Sequence, residues 1–372
     1  MKLVRHPLVP PGPGASLELV SLHYGTPGAG PKVAIQASLH ADEIPAMLVA
    51  RHLRRRLDAL EDRGCVRGEV VLVPAANPIG LGQRLLFGPQ GRFDLATGEN
   101  FNRHYATLAD AVAGRVAGRL GAGAGANVRL VRAALREAAA ELPARSPLES
   151  LRKILLALAV DADVVLDLHC DQEALMHLYT SPAAWPRIAP LARALCARAV
   201  LLADASGDDP FDEACAGVWP QLARRFGAAT PLPAACVAAT VELRGESEVS
   251  HALAERDAQA IVDYLATLGV VDHPLPAPLA ALCEPTPLSG SMQLVAPFAG
   301  LVVYLRELGE HVRAGDPVAE IVDPIADRSE ILASPVDGLF YARELRRYTP
   351  AGNSICKIAG TQALRQGKLL SD

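Results

Sequence analysis

Val33-Ala-Ile-Gln-Ala-Ser-Leu-His40-Ala-Asp-Glu43 and, far along the chain, Val164-Val-Leu-Asp-Leu-His169 decide how this sequence is read. Each is an apolar, β-prone run that closes on a histidine, and the first adds a glutamate three residues later. Short apolar runs bounded by polar residues read as buried strands. In an open α/β sheet, ligands bind just outside the carboxyl ends of such strands. His40, Glu43 and His169 therefore make a candidate set of two imidazoles and one carboxylate. That set leaves the fourth position of a tetrahedral zinc open, the pattern of a catalytic site. The competing reading is a pair of strand-end histidines with solvent or backbone partners.

Composition narrows the classes. At 372 residues the chain has material for two domains, or one large and one small. A net charge of −5 argues against a nucleic-acid binder. Seven cysteines without C-x-x-C spacing fit reduced thiols, and hence a cytoplasmic protein, better than a disulfide framework. The N-terminus lacks the apolar length of a signal peptide, and no apolar run is long enough for a membrane span.

Along the chain, Ser16–Tyr24 alternates like a strand, and the stretch from Gly25 to Pro31 is its turn. After His40, Glu43 opens a helical pattern through Met47, Leu48, His52, Leu53 and Leu57, with Arg51 and Arg54 to Arg56 on its wet side. Gly68–Pro74 is another buried strand, delivering Asn77-Pro78 into a loop. This is the grammar of a doubly wound sheet. The stretch from Asn77 to Arg103 is long, glycine-rich and aperiodic, and loops of that kind are usually functional or disordered. Phe87, Phe93 and Phe101 argue against disorder. Arg84, Arg92, Asn102 and Arg103 supply donors suited to a carboxylate or a developing oxyanion. The plainer alternative is ordinary loop-surface arginine.

Residues 108–142 and 148–159 read as helices, broken near Gly121–Gly125 and Pro143–Pro147. Asp167, two residues before His169 and on the same face, could orient a ligand imidazole. Cys170 is a poor ligand because adjacent strand residues point to opposite faces. Cys236–Gly245 is a last apolar strand that carries Glu242 near its end, where a carboxylate beside a metal could act as general base, the alternative being a strand-end surface charge. Ser250–Leu268 is an amphipathic helix closing this part of the chain.

Taken together, His40-x-x-Glu43, Asn77-Pro78, Asn102-Arg103 within NFNR, Asp167-Leu-His169 and Glu242 resemble the succinylglutamate desuccinylase/aspartoacylase family. That family is the deacylase branch of the zinc carboxypeptidase fold, and the resemblance covers roughly residues 30–270. It implies a three-layer α/β/α domain with a mainly parallel sheet. It implies one zinc on His40, Glu43 and His169, with Glu242 as general base. It also implies that Asn102 and Arg103 hold a substrate carboxylate while an upstream arginine polarises the scissile carbonyl. Arg92 is preferred to Arg84 for that role because it lies nearer the Asn-Arg pair. His40-Ala-Asp-Glu43 replaces the commoner His-Gly-Asn-Glu, and Arg244 stands where many members have glycine. The wording of the NPIGLGQ and NFNR stretches looks closest to members acting on N-acyl diamino acids.

Past residue 270 the composition changes, giving an expected division into a catalytic domain (1–270), a Pro-rich linker (271–287), a β domain (288–362) and a tail (363–372). The β domain contains a repeat: Ala296-Pro-Phe-Ala-Gly300 to Ile321 reappears as Ser334-Pro-Val-Asp-Gly338 to Ile358. Two such halves suggest a small all-β barrel-sandwich with a pseudo-twofold, resembling the biotinyl/lipoyl carrier fold. The connecting stretch Val322–Glu330 has no lysine to carry a prosthetic group, so a lid or oligomer contact is expected instead.

The expected activity is zinc-dependent hydrolysis of the amide of a small N-acyl amino acid, with no nucleic-acid or membrane partner and homo-oligomer formation left open. Two alternatives remain: a zinc carboxypeptidase on short peptides, and a zinc-binding scaffold without catalysis.

Overall fold

The computed structural model describes residues 1–275, Ala277 and 279–370. The opening hairpin, β1 (Lys2–Pro7) and β2 (Glu18–Gly25), is antiparallel. β3 (Lys32–Ala37) then runs into the His40 turn, and α1 (Pro45–Asp62) starts on a proline just past Glu43. β4 (Glu69–Val73) pairs parallel to β3, and a single turn of helix, α2 (Pro78–Gly82), follows. The aperiodic stretch is ordered: it holds a two-stranded hairpin, β5 (Arg84–Leu85) and β6 (Gly88–Pro89), then returns to the body of the protein.

Helices α3 (Ala109–Val116), α4 (Ala124–Glu141) and α5 (Pro147–Ala159) occupy the two helical stretches, with breaks where glycine and proline concentrate. Ser146 caps α5 by accepting from the Glu149 backbone N–H. β7 (Val164–Asp171) carries His169 and bends into β8 (Glu173–Ala174), after which come β9 (His177–Thr180) and α6 (Trp185–Ala194). β10 (Ala199–Leu202), α7 (Phe211–Ala216), α8 (Val218–Phe226), β11 (Val237–Gly245) and α9 (His251–Thr267) complete this part.

The central sheet has nine strands in the order β1-β2-β4-β3-β7-β11-β9-β10-β12, where β12 is Thr286–Pro287. It is parallel through β4, β3, β7 and β11, then turns antiparallel where β9 pairs with β11. Both faces are covered. Val33 and Ile35 join α1, α6 and α9 in one apolar cluster, while Ala34 and Val165 join α3, α4, α5, α7 and α8 in another. Burial on both faces explains why the central strands are continuously apolar rather than alternating. No helix among the described residues is long and apolar enough to cross a membrane.

The rest of the chain is strand. A turn of 3-10 helix at Leu288–Gly290 leads to β13 (Ser291–Val295), β14 (Gly300–Tyr304), β15 (His311–Val312), β16 (Pro317–Asp323) and β17 (Arg328–Ala333). β18 (Gly338–Arg343), β19 (Tyr348–Thr349) and β20 (Ser354–Gly360) follow. One sheet runs β13-β20-β18-β15 and the other β17-β16-β14-β19, around a core that includes Val302, Ile321, Phe340 and Ile358. The repeat is visible in the pairing. Short strand β15 of the first half pairs with β18 of the second, and β19 of the second pairs with β14 of the first. Within the Pro-rich stretch, Thr286 and Pro287 pair in parallel with the end of β10, while Pro276 and Pro278 lie outside the described residues. In the tail, the Leu369 N–H donates to the Ser206 carbonyl, and Ser371 and Asp372 lie outside the described residues.

Asn77 links the sheet to the His40 turn. Its buried side chain accepts from the Gly80 N–H at 2.8 Å and donates to the Leu39 carbonyl at 2.9 Å. Asn77→Ala removes a helix cap and orphans a buried carbonyl next to His40, so a loss of about 1–3 kcal/mol is expected in a urea unfolding curve.

Candidate active site

Three strand ends build the site. In β7, Asp167 and His169 share a face, and in β11, Thr240 and Glu242 sit opposite them in register. Gln36 at the end of β3 is level with Asp167 and donates to its Oδ1 at 3.0 Å. After β3 the backbone turns sharply at Ser38, whose φ of 58° lies in the left-handed region disfavoured for a residue with a Cβ. That turn is held from both sides: the Ser38 N–H donates to the Leu168 carbonyl at 3.1 Å and its hydroxyl to the Glu43 carbonyl at 2.7 Å. Gly91 closes over the turn so tightly that a Cβ there would sit 2.1 Å from the Asp42 nitrogen. The reward is a bond from the Ala41 N–H to the Gly91 carbonyl, which brings Arg92 to the site.

The outcome is a buried cluster in which His40, Glu43 and His169 each offer a ligand atom within 4.8 Å of the others. Glu43 lies between the rings: Oε1 is 2.8 Å from His40 Nδ1, and Oε2 is 2.7 Å from His169 Nδ1. The far nitrogens are engaged elsewhere. His40 Nε2 is 2.8 Å from Asn100 Oδ1, and His169 Nε2 is 3.0 Å from Asp167 Oδ2. With a cation in the cluster, an N–H on each Nε2 would satisfy those acceptors and leave both Nδ1 lone pairs, with the Glu43 carboxylate, to hold it. Arg92 Nη1 donates to Glu43 Oε1 at 3.2 Å and lies 3.3 Å from His40 Nδ1, consistent with an unprotonated Nδ1.

Charge completes the picture. Burial and the Arg92 guanidinium lower the pKa of His40. Burial also opposes the charged form of His169, but Asp167 and Glu43 outweigh it and hold that imidazole well above its usual range. Burial would raise Glu43, yet the two imidazoles hold it well below the ordinary carboxylate value. His169 is thus pressed between two carboxylates, an arrangement that calls for a positive charge. Two Nδ1 lone pairs and a carboxylate facing one another fit a divalent cation, with the far N–H groups held by acceptors as metal-bound imidazoles require.

These groups open onto a cavity of about 550 Å³. Glu242, Arg92, Asn102 and Arg103 line it together with the three candidate ligands. Glu242 Oε2 is buried without a hydrogen-bond partner among the described residues. Burial, with the Glu43 and Asp171 charges nearby, pushes this carboxyl up to about 8. Asn102 is fixed by the Phe211 N–H, which donates to its Oδ1 at 2.9 Å, while the Arg103 Nη1 donates to the Asn102 carbonyl at 2.7 Å. Arg84 is not brought here: it is exposed on β5, beside the hairpin tip of Leu86 and Phe87, and does not line the cavity.

Sequence reasoning missed four contributors. Asn100 lies within the stretch that supplied Asn102, but nothing in its neighbourhood distinguishes the two amides. Asp212 lines the cavity from α7, and Gln293 and Lys357 line it from the C-terminal strands. Side chains from another sheet leave no local spacing to read.

The family model for the succinylglutamate desuccinylase/aspartoacylase catalytic domain matches residues 29–268. The chain belongs to that family. Among solved structures, it resembles a Shewanella frigidimarina NCIMB 400 protein described as a candidate succinylglutamate desuccinylase/aspartoacylase, at 25% identity and a TM-score of 0.84 over 96% of this chain and 97% of that one. A Shewanella amazonensis SB2B protein described in the same terms is 26% identical, with a TM-score of 0.81 over 96% and 98% of the two chains. The ectoine utilization protein EutE (DoeB) of Ruegeria pomeroyi shares the fold at 14% identity, with a TM-score of 0.68 over 96% and 95%. A comparison with curated protein sequences gave no match.

The bond from His169 Nε2 to Asp167 gives a direct test. With zinc as the probe ion in a chelator competition, Asp167→Asn is expected to weaken metal binding by about 10–100-fold, the usual cost of losing an imidazole's orienting partner. His169→Ala is expected to hold no divalent metal stoichiometrically by metal analysis.

Proposed function

We propose that this protein hydrolyses the amide bond of a small N-acyl amino acid, releasing a carboxylate and a free amine, with one zinc held by His40, Glu43 and His169. The observation that carries this reading is the two-imidazole, one-carboxylate cluster opening onto the same cavity as the unpartnered Glu242 carboxyl. Family membership supports hydrolytic deacylation as the reaction class. A zinc ion there would supply Lewis acidity, lowering the pKa of water from 15.7 towards ~7. The division of the chain near residues 270 and 288 belongs to the same proposal.

The chain's own residues then divide the work. Glu242, in register with His169, takes the proton of the attacking water on its free Oε2 and returns it to the departing nitrogen. A carboxyl shifted towards neutrality suits both halves of that exchange. Arg92, half-exposed at the rim of the cluster, donates to the scissile carbonyl as negative charge develops there. Asn102, buried and tied to the start of α7, and the buried Arg103, which donates to the Asn102 carbonyl, hold the substrate carboxylate. Asn100 and Asp167 keep the imidazoles in one tautomer and one orientation.

Product release should be measured over N-acetyl, N-succinyl and N-aspartyl amino acids with dipeptides alongside. Turnover of the dipeptides alone would replace this reading with a carboxypeptidase. Turnover of none by the zinc-loaded protein would replace it with a binding protein. Glu242→Gln keeps size and removes the proton shuttle, so kcat should fall by about 10²–10⁴ with zinc still bound. Arg103→Ala should mainly raise KM, since a clamp felt equally in ground and transition states contributes uniform binding. Arg84→Ala should leave kcat/KM unchanged.

A further inference from the structure

The pairing of β7 with β11 is broken where the chemistry lies. The ladder is regular up to Glu242 opposite His169, then shifts register before Gly245 meets Asp171. The ladder therefore has an irregularity just past the candidate ligand, with pairing resumed at Asp171 and Gln172. Asp171, two residues on and on the same face as His169, pairs with Gly245 where the ladder resumes and is also held by Lys357, whose Nζ lies 2.5 Å from its Oδ2. Lys357 belongs to β20, in the C-terminal sheets, and its register partner on β13 is Gln293. Both line the catalytic cavity.

The grip continues past the bend. Glu173 in β8 accepts from Arg343 Nε at 2.6 Å and Arg347 Nη2 at 2.7 Å, and β8 pairs antiparallel with β18. The Leu345 N–H donates to the Gln172 side chain at 3.2 Å, and the Leu175 N–H to the Tyr341 carbonyl at 2.9 Å. The Arg347 contact is the more exposed and is screened by water. The Lys357–Asp171 pair, with both side chains at most a quarter exposed, is screened less and stands nearest His169.

Resting on the metal reading above, we infer that Lys357 is a positioning residue. Its ion pair with Asp171 fixes the end of β7 beside the irregularity in the β11 ladder, and so fixes the His169 imidazole in ligating geometry. The C-terminal strands are then part of the metal site's support as well as a wall of its cavity. A binding constellation has to be held within about 0.5 Å of its working geometry by the contacts behind it, and this ion pair is one of them.

The test reads zinc affinity directly, by competition with a chromophoric chelator on the full chain. Lys357→Met is expected to weaken zinc binding by about 10–100-fold. Lys357→Arg, which keeps the charge and can still reach Asp171, is expected to recover most of that loss. The melting temperature of the zinc-free proteins separates this from docking alone, because a purely structural contact would lower it and leave the affinity of the folded protein intact. Unchanged zinc affinity in Lys357→Met, or an Lys357→Arg as weak as Lys357→Met, overturns the inference. If Lys357→Met does not fold, Asp171→Asn opens the same pair from the other side with its shape kept, and carries the same expectation. The readout needs no substrate. A wild type that binds zinc and hydrolyses nothing would therefore sink the deacylase reading while leaving this one tested.

Discussion

A single carboxylate set between two imidazoles organises this molecule. Glu43 meets His40 Nδ1 on one oxygen and His169 Nδ1 on the other, and the second oxygen also accepts from the Cys170 N–H at 3.1 Å. Such a group tolerates little displacement, and the surrounding chain is shaped to hold it. The left-handed turn at Ser38 costs backbone energy that an ordinary loop would avoid. The close approach at Gly91 admits no other residue without movement of the Asp42 backbone. Pro45, at the first turn of α1, starts the helix immediately after the glutamate, so the carboxylate is fixed between a strand end and a helix start.

Much of this was legible in the sequence because buried strands announce themselves. The runs ending at His40 and His169 are apolar at most of their buried positions, the exceptions Gln36, Ser38 and Asp167 lying beside the site. The breaks between the helices were equally plain, since glycine and proline act locally. What the sequence could not give was register. Asp167 could be offered as an orienting group, beside the equal alternative of a strand-end cap, because it lies two residues from His169 on one strand. Asn100, which does the same for His40, comes from a loop folded back over the site. Arg84 and Arg92 looked alike as sequence, and only the hairpin between them, which carries Arg84 outward, separates them. The antiparallel β9 inserted between β11 and β10 was also out of reach, because strand direction is decided by connections and not by composition.

The repeat in the C-terminal strands shows the same limit from the other side. Its two halves could be aligned by eye, yet the structure does more than stack them. Each half lends its short strand to the other's sheet, so neither half closes its own core alone. Exchange of this kind makes the pair cooperative and leaves one face for other work. That face, with Leu288, Leu339 and Tyr341, packs against Tyr179 and Leu201 of the central sheet. Ser291 and Tyr341 share a hydrogen bond within it at 2.9 Å. An apolar seam of this sort explains why a stretch rich in proline ends as a strand of the main sheet rather than as a free tether.

The same seam brings a charge argument to its end at Glu242. Burial and the carboxylates of Glu43 and Asp171 raise this carboxyl, while His169 and Lys357 pull it down. Each of those neighbours is tied to another device of the site. Glu43 and His169 face the space a cation would fill, and Asp171 and Lys357 neutralise each other across the seam. Burial is the largest cause of the Glu242 shift, and a cation against Glu43 would offset the second, the repulsion between the two carboxylates, and so favour release of the Glu242 proton. Had Asp171 been left without Lys357, a second buried negative charge would oppose that change. The C-terminal strands therefore act on the carboxyl chemistry of the central sheet without supplying a ligand to it.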